Sequence, residues 1–188
     1  QYGKLLGAKL LRREEGGDWV IKRGTVNFGG PPKLQIRDGV WLTGTVPKLS
    51  LEGWGPLLGA SGGAAPTGFA GAELLVQHLD VYGYKVNDLY INARSHNGSL
   101  TAQLASRETN GEVTWHGQGK GKLHARLKNL FLDKGESGKK EEVVARKPAA
   151  AEMADKNATG AELPALDLAV DDLTYKGKPL GRMEMLAQ

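Results

Sequence analysis

Cysteine is absent from the 188 residues. No disulfide can staple the chain, and a zinc site would have to be assembled from histidine and distant carboxylates. Long apolar runs are missing too: none approaches the roughly 20 residues needed to span a bilayer, so this segment is not itself transmembrane. Charge of one sign is nowhere concentrated. The formal charge is +4, but Lys and Arg alternate with Asp and Glu throughout, unlike the clustered basic footprint of a nucleic-acid binder. The four histidines, His78, His96, His116 and His124, lack H-x-x-x-H and H-E-x-x-H spacing. The chain opens at Gln1 with neither an initiator Met nor a charged-then-apolar leader, so any signal peptide or anchor is expected outside it.

What the chain has in quantity is glycine, 27 of 188 residues, about twice the usual ~7 %. Combined with dispersed Val, Thr, Leu and Trp, this predicts many short strands and tight turns. Trp19–Phe28 reads as a strand, and Gly29-Gly30-Pro31-Pro32 must end it, because proline has no donor for a sheet ladder. Leu34-Gln35-Ile36 and Val40–Val46 flank an Asp38-Gly39 turn and predict a hairpin. Residues 53–68, rich in Gly, Ala and Pro, read as a surface loop or a short helix. Further on, Leu100, Ala102 and Leu104 alternate with Thr101, Gln103 and Ala105, and Leu123, Ala125 and Leu127 with His124, Arg126 and Lys128. Such alternation writes a sheet with one apolar and one wet face. Residues 133–163 are rich in Lys, Glu, Ala and Gly and too poor in large apolar residues to offset the entropy of ordering. They are expected to be a flexible excursion between a β segment over 1–132 and a restart over 164–188.

A repeat organises the pattern. Residues 78–93 align without a gap on 172–187, ninety-four positions later, matching Leu79 to Leu173, Gly83 to Gly177, Val86 to Leu180, Leu89 and Ile91 to Met183 and Met185, and Ala93 to Ala187. Upstream, Leu74 and Val76 fall opposite Leu168 and Val170. Apolar residues at spacing two plus a turn glycine specify stacked strands.

Motifs with chemistry are weak. Gly59-Ala60-Ser61-Gly62-Gly63 fits the G-x-S-x-G nucleophile elbow, but a Gly/Ala loop with Pro66 close by supplies neither the strand nor the helix that the elbow needs. Gly117–Lys122 lacks P-loop spacing and links two strands, so a turn is expected there. Asn97-Gly98-Ser99 and Asn157-Ala158-Thr159 match the glycosylation sequon, which has meaning only in a eukaryotic secretory protein. Asp167, Asp171 and Asp172 could attract a cation, yet the repeat puts Gln77-His78 in place of the last two, so strand charges are expected. No catalytic constellation, cofactor or metal is indicated.

The phrase Leu163-Pro164-Ala165-Leu166-Asp167-Leu168-Ala169-Val170-Asp171-Asp172-Leu173-Thr174-Tyr175-Lys176-Gly177-Lys178-Pro179-Leu180-Gly181 resembles one found in YhdP-like proteins of the AsmA-like superfamily. Gly17–Gly30 with the Asp38–Gly44 turn region, and Thr109–Val113 leading to Leu123–Leu130, are similar to the same family. The resemblance implies an internal piece of a Gram-negative envelope protein, anchored in the inner membrane by a helix outside this piece, with its bulk in the periplasm. It implies an elongated, curved, mainly β and mostly antiparallel sheet of stacked repeats with little helix, forming an open hydrophobic groove. The implied partners are phospholipid acyl chains, the inner membrane and other envelope proteins, and the implied role is phospholipid movement between the two membranes in support of the outer-membrane barrier.

The candidate groove wall is the alternating set Leu74, Val76, Leu79, Leu89, Ile91, Leu100, Leu104, Val113, Trp115, Leu123, Leu127, Leu168, Val170, Met183 and Met185. Ten to twelve strands at ~4.8 Å would extend such a wall to roughly 50 Å. The residues alone favour the other reading, in which this set is the closed core of a sandwich or barrel in a structural or adhesive envelope protein; the resemblance reverses that preference.

Overall fold

The computed structural model describes residues 6–50, 68–81, 83–117, 121–132 and 165–187. They form ten strands: β1 (Leu6–Glu15), β2 (Asp18–Phe28), β3 (Gly39–Ser50), β4 (Phe69–Val81), β5 (Tyr84–His96), β6 (Ser99–Ala105), β7 (Thr109–His116), β8 (Lys122–Leu132), β9 (Ala165–Tyr175) and β10 (Lys178–Ala187). All ten lie in one sheet in chain order, β1 at one edge and β10 at the other. The sheet is open, not closed into a barrel, and no helix occurs among the described residues. The loop expected at 53–68, apart from Gly68 itself, and the excursion at 133–163 lie outside the described residues.

Six of the nine pairings are antiparallel; β2 with β3, β3 with β4 and β8 with β9 are parallel. Each parallel pair needs a crossover that carries the chain back along the whole strand. The crossover from β2 to β3 corrects one expectation. Leu34-Gln35-Ile36 is no hairpin arm: residues 31–38 form no strand, and β3 pairs with β2 instead. Behind two prolines, three residues cannot build a ladder. The segment instead crosses the sheet, held by the Gln35 N–H donating to Thr25 Oγ1 (3.3 Å), by Arg37 stacked 4.5 Å over the Trp41 ring, and by an Arg37–Glu73 ion pair of 2.9 Å.

The ninety-four-residue repeat is structural. β4–β5 and β9–β10 are hairpins, each entered through a parallel pairing from the preceding strand, β3 and β8. In both copies the buried positions step by three rather than two, Val76 to Leu79 and Val170 to Leu173. An irregularity across the hairpin resets the phase there: Asp88 takes a left-handed φ of 46° in β5, and the register of β10 shifts around Gly181. Such a step keeps one side of a coiling strand apolar along its whole length.

At two glycines a positive φ coincides with close approach of a neighbouring strand. Gly44 of β3 (φ 106°) and Gly111 of β7 (φ 152°) would each, with a Cβ, overlap a neighbouring carbonyl oxygen, that of Phe28 and of Arg126. Gly44→Ala and Gly111→Ala are each expected to cost about 1–3 kcal/mol, read as a shift of the urea midpoint. Gly98→Ala, in the β5–β6 turn, has nothing within 4 Å of its added Cβ and should cost only the ~1 kcal/mol of a left-handed backbone. Three equal shifts would remove the close-approach argument.

Candidate functional site: an apolar face across ten strands

Register fixes which side chains share a face, because directly opposed residues point the same way and successive ones alternate. Starting at Leu6 and stepping across the sheet, the opposed residues are Leu6, Phe28, Gly44, Leu74, Ile91, Leu104, Gly111, Leu127, Val170 and Met183. Two residues along, the next ladder reads Ala8, Val26, Leu42, Ala72, Ala93, Ala102, Val113, Ala125, Leu168 and Met185. Neither ladder contains a polar side chain. Nine steps of ~4.8 Å make each about 43 Å long.

The ladder between them points the other way and reads Gly7, Asn27, Thr43, Glu73, Asn92, Gln103, Glu112, Arg126, Ala169 and Glu184. The sheet is therefore amphipathic across its whole width.

All fifteen candidate wall residues fall on the apolar face. Leu74, Ile91, Leu104, Leu127, Val170 and Met183 lie in the first ladder, and Val113, Leu168 and Met185 in the second. Leu100, Trp115 and Leu123 form a third row beyond it. Val76, Leu79 and Leu89 sit on the opposite flank of the first ladder. They cluster there with Val86, Val46, Leu49 and Leu104, while Leu127, Val170 and Leu173 form a second cluster with Leu130, Leu132 and Met183.

Val76 and Val170, equivalent in the repeat, are both 0 % exposed, whereas most of the two long ladders is half-buried. Sequence alternation places Ala102 and Ala125 beside their leucines but misses Leu6, Ala8, Val26, Phe28, Leu42 and Ala72. The pattern Val26, Phe28 was present, but small residues carry too little apolar signal to be singled out.

Near the turn-side end of this face lie Tyr84 of β5 and Tyr175 of β9, with three strands between them. Burial, and then Tyr175, push the Tyr84 phenol above its ordinary value. No sequence signal pairs these two residues. An influence of one phenol on the other across four strand spacings of ~4.8 Å calls for a sheet curved toward its apolar side.

The polar face carries the titratable groups. Asp167 accepts from Arg126 Nη1 (2.7 Å) and lies 3.1 Å from His124 Nδ1; it is thus a strand charge satisfied by its neighbours. The Arg126 hydrogen bond holds its carboxyl below the ordinary range despite partial desolvation. His116 also sits on this side, with its Nδ1 2.8 Å from Ser99 Oγ. A recess of about 620 Å³ opens here, lined in part by Gln103, Glu112, Arg126, Asp167 and Glu184. Among the described residues no group of three His, Asp or Glu side chains could hold a metal, and no helix could cross a membrane. Ser61 and Asn157 lie outside the described residues.

Two outcomes follow from this geometry. Leu89→Ala removes a side chain 2 % exposed and should cost about 2–4 kcal/mol in chemical denaturation. The same change at half-buried Leu100 should cost about 1 kcal/mol or less. Equal losses would mean that the face is covered evenly, as in a closed core. For Asp167, a lowered folded-state pKa stabilises the fold above the unfolded value and ceases to do so as pH falls through the folded one. The stability gap between wild type and Asp167→Asn should therefore be constant above about pH 5 and shrink below about pH 4. A gap that widens in acid would reverse the assignment.

The apolar sheet with a ninety-four-residue repeat matches one family model, described as YhdP protein, over residues 1–188. No curated protein and no solved structure matches the chain. Matched from its first residue to its last, the chain belongs to the YhdP protein family.

Proposed function

We propose that this chain is a non-enzymatic segment of a periplasmic bridge that carries phospholipid between the inner and outer membranes of a Gram-negative envelope and so supports the outer-membrane barrier. It would be tied to the inner membrane by an anchor elsewhere in the protein and work alongside other envelope proteins. Membership of the YhdP family points to a bacterial envelope protein concerned with lipid transport.

The observation that carries the finer reading is the pair of apolar ladders, continuous over all ten strands with no polar side chain in either. One leaflet of hydrocarbon is about 15 Å thick, half of the ~30 Å core, so a wall of about 43 Å is longer than one acyl chain laid along it. Each methylene withdrawn from water contributes ~0.8 kcal/mol. A chain of about 16 carbons half-covered by such a wall gains roughly 6 kcal/mol, enough to hold it and too little to trap it.

Uniformity matters as much as affinity. With no charge or deep pocket along the ladders, adjacent positions are nearly equal in energy, and a chain can shift from strand to strand without a large barrier. A purely structural or adhesive role with a closed core fits less well, since all ten strands lie in one open sheet.

Lipid extraction and native mass spectrometry of the purified chain should find co-purifying phospholipid. Leu104→Asp and Leu127→Asp, each placing a carboxylate in the first ladder, should remove most of it and, in the full-length protein, sensitise cells to detergents that the outer membrane excludes. Gln103→Asp, on the other face, should change neither. Lipid-free wild type together with unaffected Asp variants would end this reading.

A further inference from the structure

Polar groups converge on the apolar face at its turn-side end. Tyr84 opens β5 opposite Val81, and Tyr175 closes β9 opposite Leu132 and Lys178. All of them share the apolar side, as Leu79 and Leu173 do two residues earlier in their strands. Each phenol carries an O–H that can donate to an anion at this end of the wall.

Two cations stand beside them. Lys176 Nζ lies 5.4 Å from the Tyr175 ring centroid, and Lys178 is paired with Tyr175 in register. Neither lysine has a carboxylate partner among the described residues. Asp80, in the β4–β5 turn, faces the opposite side, where its Oδ1 accepts from the Gly83 N–H at 2.8 Å.

An apolar trough that ends in free donors and unpaired positive charge has the polarity of an amphiphile: chains along the wall, an anion at the end. We propose that Tyr84, Tyr175, Lys176 and Lys178 form a collar that holds the phosphate head of a lipid whose acyl chains lie on the apolar ladders, a subsite that rests on the lipid-carrying reading above. An N–H or O–H to phosphate bond is charge-assisted and gains strength where apolar side chains exclude water. The collar thus gives the open wall one end at which the orientation of a lipid is fixed.

The test is competition between two lipids with the same chains, so that the apolar wall contributes equally to both. The 188-residue chain is offered equimolar dioleoylphosphatidylglycerol and dioleoylglycerol, and native mass spectrometry reads the ratio bound. Wild type should favour the phosphate-bearing lipid by about tenfold, the scale of one hydrogen bond to a charged group. Tyr84→Phe/Tyr175→Phe, which keeps both rings, and Lys176→Ser/Lys178→Ser should each bring the ratio near one with total bound lipid unchanged. Ratios equal to that of wild type in both double variants would overturn the collar. Competition by glycerol 3-phosphate at concentrations equal to the lipid's would overturn it as well, as a site for free phosphate. Binding of neither lipid by wild type would overturn the lipid-carrying reading and the collar together, whereas an unbiased ratio with both lipids bound would remove the collar alone.

Discussion

A ten-stranded sheet presents an unbroken apolar band only if every strand keeps its odd and even positions in phase with the strand before it. A slip of one residue would turn a ladder's contribution from that strand to the wet side. The rest of the structure depends on this constraint, because no second layer of described elements repairs an error. Irregularities adjust the phase at Leu11/Arg12 between β1 and β2, at Val40/Trp41 between β3 and β4, at Asn110/Gly111 between β7 and β8, and at Asp88 and Gly181 in the two repeat hairpins. The left-handed φ of Asp88 is a local strain that the register of β4 and β5 over-determines.

Much of the face was legible from residues alone. The period of two placed Leu100, Leu104, Leu123 and Leu127 on one side, and the ninety-four-residue repeat placed Val76 with Val170 and Leu79 with Leu173. Strand partners were less legible, because pairing is a long-range choice. The Asp38-Gly39 turn suggested a local hairpin, yet β3 lies parallel to β2, and the intervening segment is spent crossing the polar face beneath Arg37. Ala102 and Ala125 were legible between their leucines, and Ala93 in the repeat, but Ala72 counts only once register sets it between larger side chains. The influence of Tyr175 on Tyr84 lies further still from the sequence, since it depends on how strongly the whole sheet curves.

The repeat also shows what an edge does to equivalent residues. Val86 is 8 % exposed, whereas its counterpart Leu180 is 61 % exposed. The sequence position and the strand are the same; the surroundings differ. β5 has strands on both sides, while β10 ends the sheet among the described residues. Burial in a single-layer sheet is thus set by neighbours across the ladder rather than by depth in a core. That explains why the hydrophobic clusters follow the two repeats instead of merging into one.

A wall that works by continuity differs from an active site in how it fails. Removing one catalytic group abolishes one step, and its position decides everything. On an apolar ladder each residue contributes a similar small stabilisation, so trimming any one of them lowers affinity slightly and leaves the route open. A charge acts otherwise. Holding an ionised carboxylate under an acyl chain would cost several kcal/mol, more than one methylene step returns, and on the proposed route that cost would recur for each chain. Sensitivity to charge should therefore depend on the face a residue occupies and only weakly on the strand that bears it. On the reading proposed above, the chemistry of this chain lies in an uninterrupted surface, and no single residue identifies it.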